Sequence, residues 1–214
     1  MRHETVETGR LITFEGGEGA GKSTQVSILV ERLRNAGRHA IVTREPGGSP
    51  AAEDIRETLL SGKVKQFGPF AEALLFSIAR ADHIDTVISD ALARGQWVVC
   101  DRFLDSTRAY QGATGGVPAP VISALERLTL HGVMPNLTIV LDIPVEEGLA
   151  RMTRRRGAPD RFESQDVAQH KRIRKAFLTI AEEEPGRCVV IDARKPEALV
   201  AEDVWEAVVE RLSP

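Results

Sequence analysis

Residues Gly16-Gly17-Glu18-Gly19-Ala20-Gly21-Lys22-Ser23 fill the pattern G-x-x-x-x-G-K-[ST], which dictates both a local backbone shape and its surroundings. Successive backbone N–H groups must turn inward to surround phosphate oxygens, and side chains would obstruct that turn. Lys22 is then placed to reach the β- and γ-phosphates of a nucleoside triphosphate, and the Ser23 hydroxyl to ligate Mg2+. The phosphate-holding stretch comprises Gly16, Gly17, Glu18, Gly19, Ala20, Gly21, Lys22, Ser23 and Thr24. Residues 10–14 read as a short buried strand ahead of the loop, and residues 23–37 carry Val26, Leu29, Val30 and Leu33 at helical spacing after it. Strand, loop and helix follow in the required order, so bound phosphate also meets the positive end of a helix dipole.

Composition narrows the rest. With 214 residues, 42% of them hydrophobic and 28% charged, the chain has the make-up of a globular protein with one substantial core. A formal net charge of −3 gives no reason to expect a nucleic-acid partner held by bulk electrostatics. No apolar run approaches the roughly 20 residues that span a bilayer, so no membrane partner is expected. Residues 1–10 are polar, lack the apolar segment of a secretion signal and read as a flexible lead-in. Two isolated cysteines, Cys100 and Cys188, suit a reducing cytoplasm better than a disulfide framework or a zinc site.

Beyond the first unit, strands are expected at 38–43, 97–101, 137–142 and 187–191. Helices are expected at 51–60, 70–94, 121–130, 144–151, 166–184 and 196–212. This alternation implies an α/β fold, a parallel sheet covered on both faces, with ligands gathered at the carboxyl ends of the strands.

A second motif is more particular. The run Asp101-Arg102-Phe103-Leu104-Asp105-Ser106-Thr107-Arg108-Ala109-Tyr110-Gln111-Gly112 resembles the thymidylate kinase signature, in which a strand delivers Asp-Arg-aromatic and a helix then carries Ser-x-x-Ala-Tyr-Gln. Further segments resemble that family in the same order: Thr43-Arg44-Glu45-Pro46-Gly47-Gly48, then Ala73-Leu74-Leu75-Phe76 with Arg80, then Pro135-Asn136-Leu137-Thr138, then Asp160-Arg161-Phe162-Glu163. The resemblance covers the chain from about Leu11 to its last helix. It implies a three-layer α/β/α P-loop kinase fold with a five-stranded parallel sheet, a single domain over 11–214, and a small mobile lid near 151–163. It also implies a homodimer, to which the apolar 70–94 helix contributes, with ATP and dTMP as substrates and Mg2+ as cofactor.

Physical chemistry supports carrying positions over one by one. Phosphoryl transfer between two anionic groups needs cations, water exclusion and alignment. Arg102 and Arg44 match family arginines that hold the acceptor phosphate, and Arg56 a third basic position. Asp101 ends an apolar strand beside the loop, where it can bind Mg2+ with Ser23, and Glu45 could add a contact through water. The resemblance turns Glu18 toward the sugar 3′-hydroxyl of the acceptor, with the Tyr110 ring crowding the 2′ position. Phe76 would stack on the pyrimidine and Arg80, one helical turn on, would donate to a thymine carbonyl, with Thr107 and Gln111 reaching the ring edge. Discrimination against uracil, which lacks one methyl, is expected to be modest.

Arginines 151, 154, 155, 156 and 161 crowd the lid, and mutual repulsion favours mobility until phosphates neutralise them. Gly19 stands where one branch of the family has arginine; the bacterial branch leaves that position small and supplies the cation from the lid. Arg154 and Arg156 match the lid positions and, with Lys22, Asp101 and Arg102, form the expected catalytic set. Asn136, and the absence of an arginine in 114–118, depart from the family pattern, and the scattered histidines call for no chemistry. Alternatives are a deoxynucleoside kinase, which would leave Arg44 and Arg102 without a phosphate, another pyrimidine monophosphate kinase, or a non-catalytic ATP-binding switch.

Overall fold

The computed structural model describes residues 9–154, 162 and 166–214. In chain order the elements are β1 (Arg10–Glu15), α1 (Lys22–Asn35), β2 (Ala40–Arg44), α2 (Pro50–Leu60), α3 (Gly68–His83), α4 (Ser89–Ala93) and β3 (Trp97–Asp101). These are followed by α5 (Leu104–Thr107), α6 (Ala119–Thr129), β4 (Leu137–Asp142), α7 (Val145–Thr153), α8 (Val167–Glu183), β5 (Cys188–Asp192) and α9 (Glu197–Leu212). All five expected strands form, each within two residues of its expected ends. Arg10, last residue of the expected lead-in, already belongs to β1, and its N–H donates to the Gln96 carbonyl.

The strands lie parallel in the order β2-β3-β1-β4-β5, so the strand feeding the phosphate loop occupies the centre. Two-sided burial explains why these strands read as nearly continuous apolar runs. Ile12, Phe14, Trp97, Val99, Leu137, Ile139 and Leu141 join Val26, Leu29 and Leu33 of α1 and Val200 and Val204 of α9 in one core. Their neighbours on the opposite face, Leu11, Val98 and Cys100, pack with Ile84, Ile88 and Ala91, while Val140 packs with Ile173 and Phe177 of α8. Register decides the site. Phe14 pairs with Asp101 and Arg44 pairs with the same Asp101, which brings the loop, the acid and an arginine to one edge of the sheet.

Two stretches depart from simple α-helical expectation. The expected 70–94 run is helical as far as Ala93, but Ile84–Ile88 is a π-helical turn between α3 and α4. Arg108–Ala113 is also π-helical, and it carries Tyr110 and Gln111. A π-turn re-aims side chains relative to the i, i+4 ladder, and such turns recur at functional sites.

The start of this segment is pinned by charge. Asp105, buried, receives Arg187 through Nη1 at 2.7 Å and Nη2 at 2.8 Å, and Arg108 at 3.3 Å. Arg108 in turn donates to Glu126 through Nε at 2.7 Å. Removing one partner of such a pair strands a buried charge. We expect Arg187→Leu to lower stability by about 3–5 kcal/mol in chemical denaturation, and Asp105→Leu with Arg187→Leu together to recover much of that loss.

Candidate active site

The phosphate loop closes through three left-handed glycines, Gly16 (φ 135°), Gly19 (φ 71°) and Gly21 (φ 92°). Two of them are also forced by contact. A Cβ on Gly16 would lie 2.4 Å from the Leu141 carbonyl oxygen, and one on Gly19 would lie 1.9 Å from that of Gly148. The small residue at position 19 is therefore a packing requirement of α7 as well as a backbone one. Lys22, the first residue of α1, is buried, and its Nζ donates to the carbonyls of Gly16 (3.1 Å) and Gly17 (2.9 Å). Burial and the nearby Arg102 lower its pKa, against the pull of Glu18 and Asp101.

Ser23 Oγ donates to Asp101 Oδ2 at 2.6 Å, so a hydroxyl and a carboxylate from α1 and β3 face one point at the loop mouth. Two hard oxygen donors beside a phosphate cradle fit Mg2+, a hard cation that prefers oxygen ligands and needs only one or two from the protein. Arg102 follows in the left-handed region (φ 68°), unusual for a residue with a side chain. Its guanidinium reaches Glu18 Oε1 (2.6 Å) and Ser106 Oγ (3.2 Å) and lies 5.3 Å from the Tyr110 ring centroid. Tyr110 Oη donates to the same Glu18 oxygen at 2.7 Å. Burial pushes Glu18 up, but the Arg102 and Lys22 cations more than offset it and hold its carboxyl at about 2.

One cavity of about 820 Å³ connects these groups. It is lined by the expected residues Glu18 to Thr24, Arg44, Glu45, Arg56, Phe76, Arg80, Asp101, Arg102, Thr107, Tyr110 and Gln111. Gly16 and Gly17 lie beneath it and contribute the carbonyls that hold Lys22. Arg44 pairs with Glu53 at 3.0 Å on the exposed rim, and Arg56 donates to the Pro46 carbonyl at 2.6 Å. Phe76 is half-buried, with its ring 6.1 Å from that of Phe162. Gln111 is buried and donates to Glu72 at 3.4 Å. Arg154 is exposed at the end of α7. Arg155, Arg156 and Arg161 fall outside the described residues.

Glu45 departs from expectation. The carboxylate assigned a metal contact through water is buried, with Oε2 taken by Arg80 Nε (2.7 Å) and Oε1 by His83 Nδ1 (3.1 Å). Its observed partners are Arg80 and a histidine that the sequence left without a role.

Three further features of the site were not among those expected. Arg151 and the turn Ala193-Arg194-Lys195-Pro196 line the far end of the cavity, where Arg151 Nη1 donates to the Ala193 carbonyl at 2.9 Å. The signal was available, since the end of β5 lies at the same sheet edge as the loop. The third is Glu15. Fully buried at the end of β1, it accepts from Phe103 N–H (2.8 Å), Ser106 N–H (3.1 Å) and Ser106 Oγ (2.7 Å), thereby fixing the turn that presents Arg102.

The thymidylate kinase family model matches residues 14–204. The chain belongs to the thymidylate kinase family. It is 58% identical over 206 residues to a thymidylate kinase of Nitrobacter hamburgensis, covering 95% of this chain and 90% of that one. It is 55% identical over 206 residues to one from Bradyrhizobium sp. (strain ORS 278), covering 95% and 91%. The crystal structure of thymidylate kinase from Ehrlichia chaffeensis superposes with a TM-score of 0.75 at 31% identity, covering 94% of this chain and 99% of that one. Membership of this family agrees with the five-stranded parallel sheet and flanking helices found here.

Burial, with Asp105 close by, pushes the Glu15 carboxyl up to about 7 from an ordinary 4.5, against the hydrogen bonds from Ser106 and Phe103. The folded chain therefore binds more protons at Glu15 than the unfolded chain between those two values, and stability falls as pH rises through that window. Glu15→Gln should flatten this slope, read as the change in denaturation midpoint between about pH 5 and about pH 7.5.

Proposed function

We infer the following division of labour for the reaction of this chain, the ATP-dependent phosphorylation of dTMP to dTDP. The observation that carries it is the single cavity joining a phosphate loop to an arginine-rich acceptor side across Asp101 and Arg102. Donor and acceptor phosphates brought together there meet cations from both sides, as in-line transfer requires.

The loop N–H groups and Lys22 hold the triphosphate, Lys22 exchanging the Gly16 and Gly17 carbonyls for β- and γ-oxygens. Ser23 and Asp101 would hold Mg2+, which would supply positive charge to offset the charge developing on the phosphates. Arg102 takes the acceptor phosphate, with Arg44 and Arg56 beside it. Its ion pair with Glu18 keeps the guanidinium aimed before the acceptor arrives. Glu18 and Tyr110 face the deoxyribose at the 3′ and 2′ positions. Phe76 stacks on the pyrimidine, and Arg80, Thr107 and Gln111 surround its polar edge. Arg154 and Arg156 of the 151–163 lid complete the charge clamp when the lid closes over a single domain.

The assembly we propose is a homodimer. Phe67, Phe70, Leu74 and Ile78 form an exposed apolar stripe along and just before α3, at the spacing of one helix face. A cytoplasmic location is supported by two cysteines that are free and buried. Among the described residues no helix is long and apolar enough to cross a membrane.

An ADP-release assay with dTMP, dUMP, UMP and thymidine at saturating ATP and Mg2+ tests the reading; absence of turnover with dTMP would sink it. Arg102→Met should lower kcat/KM for dTMP by on the order of 10²-fold or more, because it removes a charge aimed at the reacting phosphates. Asp101→Asn should raise the Mg2+ concentration needed for half-maximal rate. Light scattering should give twice the chain mass of 23.4 kDa, and Phe70→Lys with Ile78→Lys should halve it.

A further inference from the structure

His83 is fully buried at the end of α3, where an imidazole must find partners for both nitrogens. Its Nδ1 lies 3.1 Å from Glu45 Oε1 and its Nε2 lies 2.6 Å from Thr43 Oγ1. A carboxylate oxygen accepts, so Nδ1 donates to Glu45, and Nε2 makes the ring's second hydrogen bond with the threonine hydroxyl. The opposite oxygen of Glu45 accepts from Arg80 Nε at 2.7 Å. Arg80 Nη2 spends its two hydrogens on the Phe103 carbonyl (3.1 Å) and Thr107 Oγ1 (3.0 Å). Among the described residues Nη1 has no acceptor, although Arg80 lines the cavity. Room for this chain of contacts depends on Gly48, where a Cβ would sit 2.4 Å from His83 Nε2 and 2.6 Å from Thr43 Oγ1.

We propose that His83 is a positioning residue which, through Glu45, fixes the Arg80 guanidinium so that its Nη1 edge faces the acceptor base. It thereby sets the preference for a pyrimidine carrying a carbonyl at ring position 4 over one carrying an amine. An arginine only donates, so the selection is by repulsion as well as attraction: a 4-amino group presents donors to donors. Glu45 alone could rotate about its own side-chain bonds and release Arg80 Nε, leaving the guanidinium held only through Nη2. His83, anchored to β2 through Thr43, removes that freedom. The proposal rests on Arg80 as the reader of the base.

The test is kcat/KM for dTMP relative to dCMP at saturating ATP and Mg2+. His83→Leu should lower this ratio roughly tenfold, the scale of one misplaced charge-assisted hydrogen bond, through KM for dTMP with kcat changed by less than about threefold. His83→Asn, which keeps a donor at the Nδ1 position, should stay within about twofold of the parent. If His83→Leu does not fold, Glu45→Gln, which weakens the middle of the relay, should lower the ratio and decides alone. A lower kcat and thermal stability with an unchanged ratio marks a structural role and overturns the proposal. Arg80→Leu separates the two levels. A parental ratio in that variant removes the base-reading premise itself, whereas a reduced ratio there with parental ratios in the His83 and Glu45 variants overturns the relay alone.

Discussion

The ion pair between Arg102 and Glu18 is the contact on which the rest of the site depends. It joins the phosphate loop at the end of β1 to the turn at the end of β3, two adjacent strands whose register already sets Phe14 beside Asp101. Arg102 reaches Glu18 from a left-handed backbone, a conformation that persists only when its surroundings over-determine it. They do so here. The Arg102 N–H donates to the Phe14 carbonyl, and Glu15 gathers three donors from Phe103 and Ser106 immediately after it.

That arrangement places like and unlike charges with economy. Buried Lys22 and half-buried Arg102 lie close together, and burial with that second cation lowers the pKa of Lys22; both cations in turn hold the Glu18 carboxyl down. Glu18 and Asp101 compensate the two cations, and the same two cations face the cavity in which anionic phosphates would be received. Around Arg80 the logic is different. Arg80 is almost wholly buried, and its neutralising partner Glu45 is itself oriented by His83, so the polar chain serves direction more than charge supply.

Behind both sites lies a structural network that the chemistry does not touch. Arg187, just before β5, and Arg108 of the π-helical segment converge on Asp105. The segment bearing Thr107, Tyr110 and Gln111 is thereby tied to the sheet edge by charge, at its start, and by Phe177 of α8 against the Tyr110 ring, at its middle. A loop carrying the same residues without these ties would hold them less well defined in position.

Much of this was legible in the chain. The loop pattern, the alternation of apolar runs and the Asp-Arg-Phe motif determined a parallel α/β sheet with a nucleotide site at its carboxyl edge, because each depends on local backbone geometry or short-range periodicity. The spacing of Phe76 and Arg80 likewise placed them on one helical face. The partners of those residues were not legible. Glu45 looked like a metal contact and His83 like a bystander, since nothing in their spacing shows that residues 38 positions apart meet. Glu15 read only as the last residue before the glycines, and the π-turn at Arg108–Ala113 was invisible to an i, i+4 reading. The sequence by itself determined which chemistry the chain carries. Tertiary structure decided how each charge is neutralised and aimed, because electrostatic partners are chosen by the packing of strands and helices distant in sequence, and local pattern carries no record of that choice.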